Sequence, residues 1–478
     1  MKNLGDLISV AKDPNKIAII YNNQQYTYRQ LNQLVCGISA GLVEQGIKPL
    51  DRVAIISTNS VNYIAAYLGI LKVGAVAVLI NAKLPKMQID YMLEDSKSKL
   101  IFTDREVVSE LPIISFDKID LFLSTDSAEL YVPTENDPAV ILYTAGSTSI
   151  PKGVILSHKH RWIIDIRATG DWSMATRRFL VSAPCYHMNG LSNVEIALAG
   201  HATVILMSQF NARESMHLIQ EHKINTITAV PSMLVMMLKE QDLLTTLNLT
   251  SIKEIRMSSA PVSRNLYNSL KSTFVDCLII VAYGITEVGP GIFTRHPNGN
   301  PTPELSVGYP MKNIDYRLVD GVLQIRSPAM MMGYNNINST ATTQDGYFIT
   351  NDIFKVDHQG FYYFVGRADD MFVSGGNNIY PRQVEEAIET HSAVISAAVI
   401  GLADEIKGMK PYAFVVVNSS QITDAVLTQH LTTRLAPSHL PRKIWILEQM
   451  PLLSVNKIDK SKLIEMAKNL STATSIDI

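Results

Sequence analysis

Residues 140–154 gather side chains suited to holding a polyphosphate. An apolar run, Ile141-Leu142-Tyr143-Thr144, leads into Ala145-Gly146-Ser147-Thr148-Ser149-Ile150-Pro151-Lys152-Gly153. Glycines and small hydroxyl residues let backbone N–H groups and side-chain oxygens converge on one anion, and Lys152 adds a compact cation. The order differs from G-x-x-x-x-G-K-[ST], because Lys152 precedes its glycine and no Ser or Thr follows it. Taken alone, the segment reads equally well as an exposed loop rich in turn formers.

Together with four further segments, in fixed order over most of the chain, this stretch resembles the adenylate-forming superfamily of acyl-CoA synthetases, peptide-synthetase adenylation domains and beetle luciferases. The family's phosphate loop reads approximately Y-T-S-G-T-T-G-x-P-K-G-V; here Ala145 replaces a hydroxyl and Ser149 a glycine. The resemblance implies ATP contacts from Thr144, Gly146, Ser147, Thr148 and Lys152. Ser258-Ser259-Ala260-Pro261-Val262 is similar to the segment lying against adenine, which implicates Ser259, Ala260 and Pro261; an ordinary strand-to-helix turn capped by Ser263 is the alternative. Tyr283-Gly284-Ile285-Thr286-Glu287 resembles Y-G-x-T-E, implying Tyr283 and Gly284 at the adenine, Thr286 on the α-phosphate and Glu287 on Mg²⁺. One carboxylate suffices for an ion that keeps several waters and shares ATP oxygens.

Thr350-Asn351-Asp352 resembles T-G-D, and Gly366-Arg367-Ala368-Asp369-Asp370 resembles G-R-x-D-D, which makes Asp352 and Arg367 nucleotide ligands by resemblance. A carboxylate can accept two ribose hydroxyls and a guanidinium offers a planar fork; otherwise the two are a surface ion pair worth little. Near the end, Asn456-Lys457-Ile458 resembles the catalytic-lysine motif G-K-[IV], with Asn456 at the glycine position. Lys457 is then expected to bridge the substrate carboxylate and the α-phosphate.

The acceptor is read from Ser374-Gly375-Gly376-Asn377-Asn378-Ile379-Tyr380-Pro381, which resembles S-G-G-x-N-I-x-P in acyl-CoA synthetases. Gly375 and Gly376 would leave room for a pantetheine arm, or simply turn the chain before a helix opened by Pro381. His187 in Pro184-Cys185-Tyr186-His187-Met188-Asn189-Gly190 matches a histidine beside the acyl and thiol path, where orientation matters more than base strength. The implied activity is ATP-dependent carboxylate–CoA ligation through an acyl-adenylate, with ATP, Mg²⁺ and coenzyme A, of the kind found in fatty-acid metabolism. The alternatives are an adenylation enzyme loading a carrier-protein phosphopantetheine, and a non-catalytic nucleotide-binding relative suggested by Ala145, Ser149 and Asn456. Met188, Asn189, Val281, Ala282, Ile285 and Val288 form a mostly apolar acid pocket by motif adjacency. Arg161 and Arg167 follow on the next helix, where a solvated face is expected; an arginine turned into the pocket would imply a second anionic group on the acid.

These residues need a scaffold that brings distant segments together. Over 16–82, β-rich runs (IAIIY, RVAIIS, AVAVLI) alternate with helical stretches at 28–45 and 61–73, predicting a parallel sheet; the rhythm recurs over 139–206 and 224–282. After Gly308, turns at Asp320-Gly321 and Gln359-Gly360 predict hairpins of a small β subdomain. A helix at 381–389, strands AAVIGL and YAFVVV, a helix at 424–435 and a strand near Ile444 predict a compact C-terminal domain with a βαβ-like stretch. The expected fold class is α/β: a large N-terminal domain of two stacked α/β layers plus the β subdomain, then a small α+β domain, mobile by resemblance. The expected division is 1–366 for ATP and acid binding, 367–370 as hinge with Asp369 at its centre, and 371–478 carrying Lys457.

A chain of 478 residues exceeds one hydrophobic core, and its 47% apolar content supplies ample buried material. A formal net charge of -2 gives no broad basic field for nucleic acid. Cys36, Cys185 and Cys277 are scattered, which excludes a disulfide framework or a CxxC metal site and fits a reducing compartment. Without a signal-peptide core or an apolar run near the roughly twenty residues of a membrane span, a cytoplasmic protein with no transmembrane segment is expected; it could pair as a homodimer.

Overall fold

Successive strand residues point to opposite faces of a sheet, and in this chain both faces are buried. In the strand Thr203–Leu206, Val204 and Leu206 join one core cluster while Ile205 joins another; in Val76–Ile80, Ala77 and Leu79 separate in the same way from Val76, Val78 and Ile80. Each sheet must therefore carry packing on two sides. The computed structural model describes residues 3–8, 13–124, 131–144, 151–169, 174–337, 341–418, 421–453 and 456–473.

The first seven-stranded sheet runs Leu278–Val281, Glu254–Met257, Thr226–Ala229, Arg178–Val181, Thr203–Leu206, Ile17–Tyr21 and Gln24–Thr27, all parallel except the last edge strand. The second runs Gly333–Tyr334, Lys152–Ser157, Pro138–Thr144, Val76–Ile80, Arg52–Ile56, Leu100–Thr103 and Ile113–Ser115, antiparallel only at its first two pairings. A shared core joins the sheets, and helices Tyr28–Glu44 and Val61–Lys72 contribute to it. Thr27 and Gln30 form a reciprocal capping box at the first helix, and Ser60 caps the second. The second is buried almost all round, which is why its sequence lacks a polar stripe.

The expected two α/β layers are present, followed by a four-stranded antiparallel sheet of Asp315–Val319, Val322–Arg326, Phe348–Val356 and Tyr362–Arg367. Its first hairpin turns through Asp320 and Gly321 at φ 51 and 79°, the positive values a two-residue turn requires. In the C-terminal part, helix Pro381–Glu389 lies where the sequence placed it, and the strands Val394–Asp404 and Gly408–Val417 pair antiparallel. The βαβ unit is the next step, Gly408–Val417 through helix Asp424–Thr432 to Ile444–Leu447, which pairs parallel. The helix Lys460–Ala473 was not anticipated, although Asp459 accepts from the Lys462 N–H as a cap; Leu463 and Ala467 bury it against the sheet. Among the described residues no helix is long and apolar enough to cross a membrane.

Candidate active site

The carboxyl ends of four parallel strands of the first sheet open onto one cleft of about 1940 Å³. After Arg178–Val181 comes the segment ending at His187; after Thr226–Ala229, Pro231 and Ser232; after Glu254–Met257, Ser259 to Pro261; after Leu278–Val281, Tyr283 to Glu287. Parallel strands in one sheet end at one edge, so segments a hundred residues apart become neighbours there. The chain after Val181 bends tightly: a Cβ at Gly190 would come within 2.3 Å of the Pro184 carbonyl, so only glycine fits and His187 is held at the head of helix Met188–Ala199.

Around the residues expected to hold a nucleotide, the Tyr283 hydroxyl donates to Asp352 Oδ2 at 2.5 Å, and Arg367 donates to Asp352 Oδ1 at 3.2 Å and to both oxygens of Asp369 at 2.8 and 2.7 Å. Antiparallel pairing sets Asp352 directly opposite Arg367, which explains their meeting across fifteen residues of sequence. Burial pushes the Asp352 carboxyl up to about 6, with the Tyr283 hydroxyl and Arg367 pulling the other way. Asn351, at the family's glycine position, adopts φ 58°, and Ser259 is left-handed at φ 68°. Ser259, Ala260, Pro261 and Gly284 line the same cleft.

Lys457 enters from the C-terminal part. Burial, then Arg367, lower its pKa, while Asp352 and Glu287 raise it, so these charges surround its ammonium. Its turn is fixed by Asn456, left-handed at φ 57°, whose carbonyl accepts from the Ser232 hydroxyl. His187 lies in the same field: burial, then Lys457, hold its imidazole down at about 3, leaving a neutral ring and a poor base. Thr144 and Lys152 face each other across a hairpin and both line the cleft. The expected contacts Gly146, Ser147 and Thr148, with Ala145 and Ser149, lie outside the described residues.

Thr286 and Glu287 complete that wall. Among the described residues no group of three His, Cys, Asp or Glu could cage an ion. Glu287 accepts the Tyr334 hydroxyl at 3.0 Å through Oε1 only. A single carboxylate in a cleft that Thr144 and Lys152 also line suits an Mg²⁺ shared with phosphate oxygens and water, so the residues fit that ion.

Met188, Asn189, Val281, Ala282 and Ile285 line the same cleft as expected; Val288 is fully buried and does not line it. The two arginines depart from the expected solvated face. Arg161 is buried, donating to Asp165 and to the Asn3 carbonyl away from the cleft, whereas Arg167 lines it and donates to the Phe293 carbonyl at 2.5 Å. Burial, then neighbouring Arg256, lower Arg167 to about 9. Gly375 and Gly376, at φ 56 and 82°, form the turn between Phe372–Ser374 and Asn377–Ile379 and do not line the cleft in this arrangement. Asp369 does line it.

Sequence reasoning missed Ser232, Tyr334 and the buried group of Arg177, Glu254 and Arg256. Ser232, Tyr334 and Arg177 meet partners far away in sequence, which no spacing marks; Arg256 pairs with Glu254 two residues earlier on the same strand, a spacing that puts both on one face.

Residues 8–335 match the AMP-binding enzyme family and residues 383–457 match the AMP-binding enzyme C-terminal domain. The chain is 29% identical over 475 residues to the 2-succinylbenzoate–CoA ligase of Bacillus velezensis, covering 95% of this chain and 96% of that one. It is 27% identical to the o-succinylbenzoate CoA synthetase of Bacillus subtilis in complex with the acyl-adenylate intermediate, with a TM-score of 0.84 over 97% of this chain and 98% of that one. The same Bacillus subtilis protein has been solved with ATP and magnesium ion, with a TM-score of 0.82 over 96% of this chain and 98% of that one at 27% identity. The anthranilate CoA ligase AuaEII shares the fold, with a TM-score of 0.89 at 23% identity over 98% of both chains.

Proposed function

The chain belongs to the AMP-binding enzyme family, as an ATP- and magnesium-dependent acid–CoA ligase working through an acyl-adenylate, and we propose that its acid is an aryl acid carrying a second carboxylate. The observation that carries the substrate class is Arg167. Three guanidinium groups line the cleft; Glu254 pairs with Arg177 and Arg256, and Arg167 has a backbone carbonyl as its hydrogen-bond partner and no ion pair among the described residues. Glu254 also acts on Arg167 but is already paired with the other two arginines, so the buried Arg167 cation is only partly offset and an anionic group of the substrate is its natural partner. The relatives named for 2-succinylbenzoate, a keto acid with two carboxylates, favour this class over fatty acids, and their naming as CoA ligases favours CoA over a carrier protein.

In the proposed division of labour, the reacting carboxylate of the acid attacks the α-phosphorus in line and pyrophosphate leaves. Lys457, Thr286 and the hairpin bearing Thr144 and Lys152 hold the developing charge with groups already oriented. Magnesium on Glu287 would offset charge on the phosphate oxygens. Tyr283, Asp352 and Arg367 hold the nucleoside. The position of Lys457 in the cleft, with Gly375 and Gly376 turned away, supports an arrangement for the first half-reaction. Rotation about 367–370, with Asp369 in the hinge, would exchange them before the CoA thiol displaces AMP. The neutral His187 imidazole is suited to shaping the thiol path rather than to taking its proton.

Pyrophosphate release with CoA over aryl, fatty and dicarboxylic acids tests both parts. The wild type should be most efficient with aryl acids bearing a second carboxylate, and Arg167→Met should lose roughly tenfold to a hundredfold in kcat/KM for those acids while leaving monocarboxylic acids unchanged. Equal loss for every acid would remove the substrate class. No release with any acid would remove the ligase reading.

A further inference from the structure

Residues 331–336 form a strap between two parts of the nucleotide site that the motifs treat separately. The Met331 N–H donates to the Glu287 carbonyl at 2.8 Å, the Met332 N–H to the Ile155 carbonyl at 2.8 Å, and the Asn335 N–H to the Gly153 carbonyl at 2.7 Å. Gly333 and Tyr334 pair antiparallel with Ile155 and Val154, in the strand that begins at Lys152. Asn335 and Asn336 both donate to Asp95, which also accepts the Tyr143 hydroxyl at 2.7 Å, so the strap is anchored on the opposite hairpin strand too. The strap has little freedom to move.

From this base the Tyr334 side chain reaches in two directions. Its hydroxyl donates to Glu287 Oε1 at 3.0 Å, and Lys152 Nζ lies 5.5 Å from its ring centroid. The first contact orients the carboxylate, leaving Oε2 with no hydrogen-bond partner among the described residues. The second is within cation–π range and restrains a flexible ammonium that would otherwise spread over many rotamers. The geometry points to Tyr334 as a positioning residue that couples the magnesium carboxylate Glu287 to the phosphate lysine Lys152, presenting metal and polyphosphate contacts as one preset unit. This rests on the ligase reading for its purpose, but not for its measurement.

The test is Mn²⁺ titration followed by electron paramagnetic resonance, with the non-cleavable α,β-methylene analogue of ATP, on the wild type, Tyr334→Phe and Tyr334→Leu. Loss of the hydroxyl alone should weaken Mn²⁺ in the ternary complex by about tenfold, the lower end of what partners of metal ligands usually contribute. Metal-free affinity for the analogue should stay within twofold in Tyr334→Phe and fall several-fold in Tyr334→Leu, which also removes the ring beneath Lys152. Unchanged Mn²⁺ affinity in Tyr334→Phe would overturn the coupling. So would equal losses of metal and metal-free nucleotide binding in Tyr334→Phe accompanied by a lowered thermal midpoint, since that is the signature of a merely structural role. A wild type that binds Mn²⁺ with the analogue yet releases no pyrophosphate with any acid would count against the ligase reading and leave the coupling supported.

Discussion

Replacing Asp352 with Asn removes a titration that the fold makes costly. Burial raises this carboxyl from 3.8 to about 6 despite the Tyr283 hydroxyl and the Arg367 guanidinium. The native state therefore binds the proton more tightly than the unfolded chain. The stability this contributes is complete below about pH 4 and is lost as pH rises through 6. The shift of about two units, at ~1.4 kcal/mol each, amounts to roughly 3 kcal/mol. Between pH 4 and 7 the wild type should lose about that much relative to Asp352→Asn, whatever offset separates the two proteins at pH 4. Urea unfolding of the ligand-free proteins, followed by tryptophan fluorescence at half-unit pH steps, reads the difference directly. A difference that stays flat, or a wild type that gains on the variant as pH rises, would refute the reasoning, because it would mean that Arg367 and Tyr283 outweigh desolvation. The same variant should bind ATP more weakly at pH 7.5, since the charged carboxylate is the better acceptor for two ribose hydroxyls.

Lys457→Ala should lower acid-dependent ATP–pyrophosphate exchange by about 10²- to 10³-fold while thioester formation from supplied acyl-adenylate and CoA persists; equal loss of both would sink the assignment of Lys457 to one half-reaction. Asn351 and Asn456 hold φ 58 and 57°, so an Ala at either should cost ~1–2 kcal/mol in thermal or urea unfolding, whereas Gly should be close to neutral. If Ala and Gly behave alike, the left-handed backbone is not what these positions select for. Pyrophosphate exchange by Asn456→Gly should stay within about twofold of wild type, because the turn presenting Lys457 is preserved.

Much of the architecture was legible because it follows from local periodicity. The alternation of Ile19 and Ile20, or of Val204 and Ile205, between two cores is written as β-rich runs flanked by helices, and the Asp320-Gly321 turn by its residue types. The final helix was harder, since its buried stripe is short and its Asp459 cap is a single signal among several polar residues. The candidate site residues were legible one by one as motif positions, and most of those described line one cleft.

By itself the sequence determined the layered α/β class, the order of the motifs and the residue types that suit a nucleotide: a lysine-bearing loop, a lone carboxylate, a carboxylate and a guanidinium in register. Asn456 stands where the resemblance has glycine, and the backbone there is left-handed, a conformation asparagine tolerates better than most side chains. Only the tertiary structure decided which charges face one another. Arg161 and Arg167 sit on one helix six residues apart, yet one is spent on Asp165 and the Asn3 carbonyl while the other borders the cleft. Tyr334 reaches Glu287 only because an antiparallel edge strand carries it there. Facing is set by packing between elements distant in sequence, and one-dimensional spacing holds no record of it.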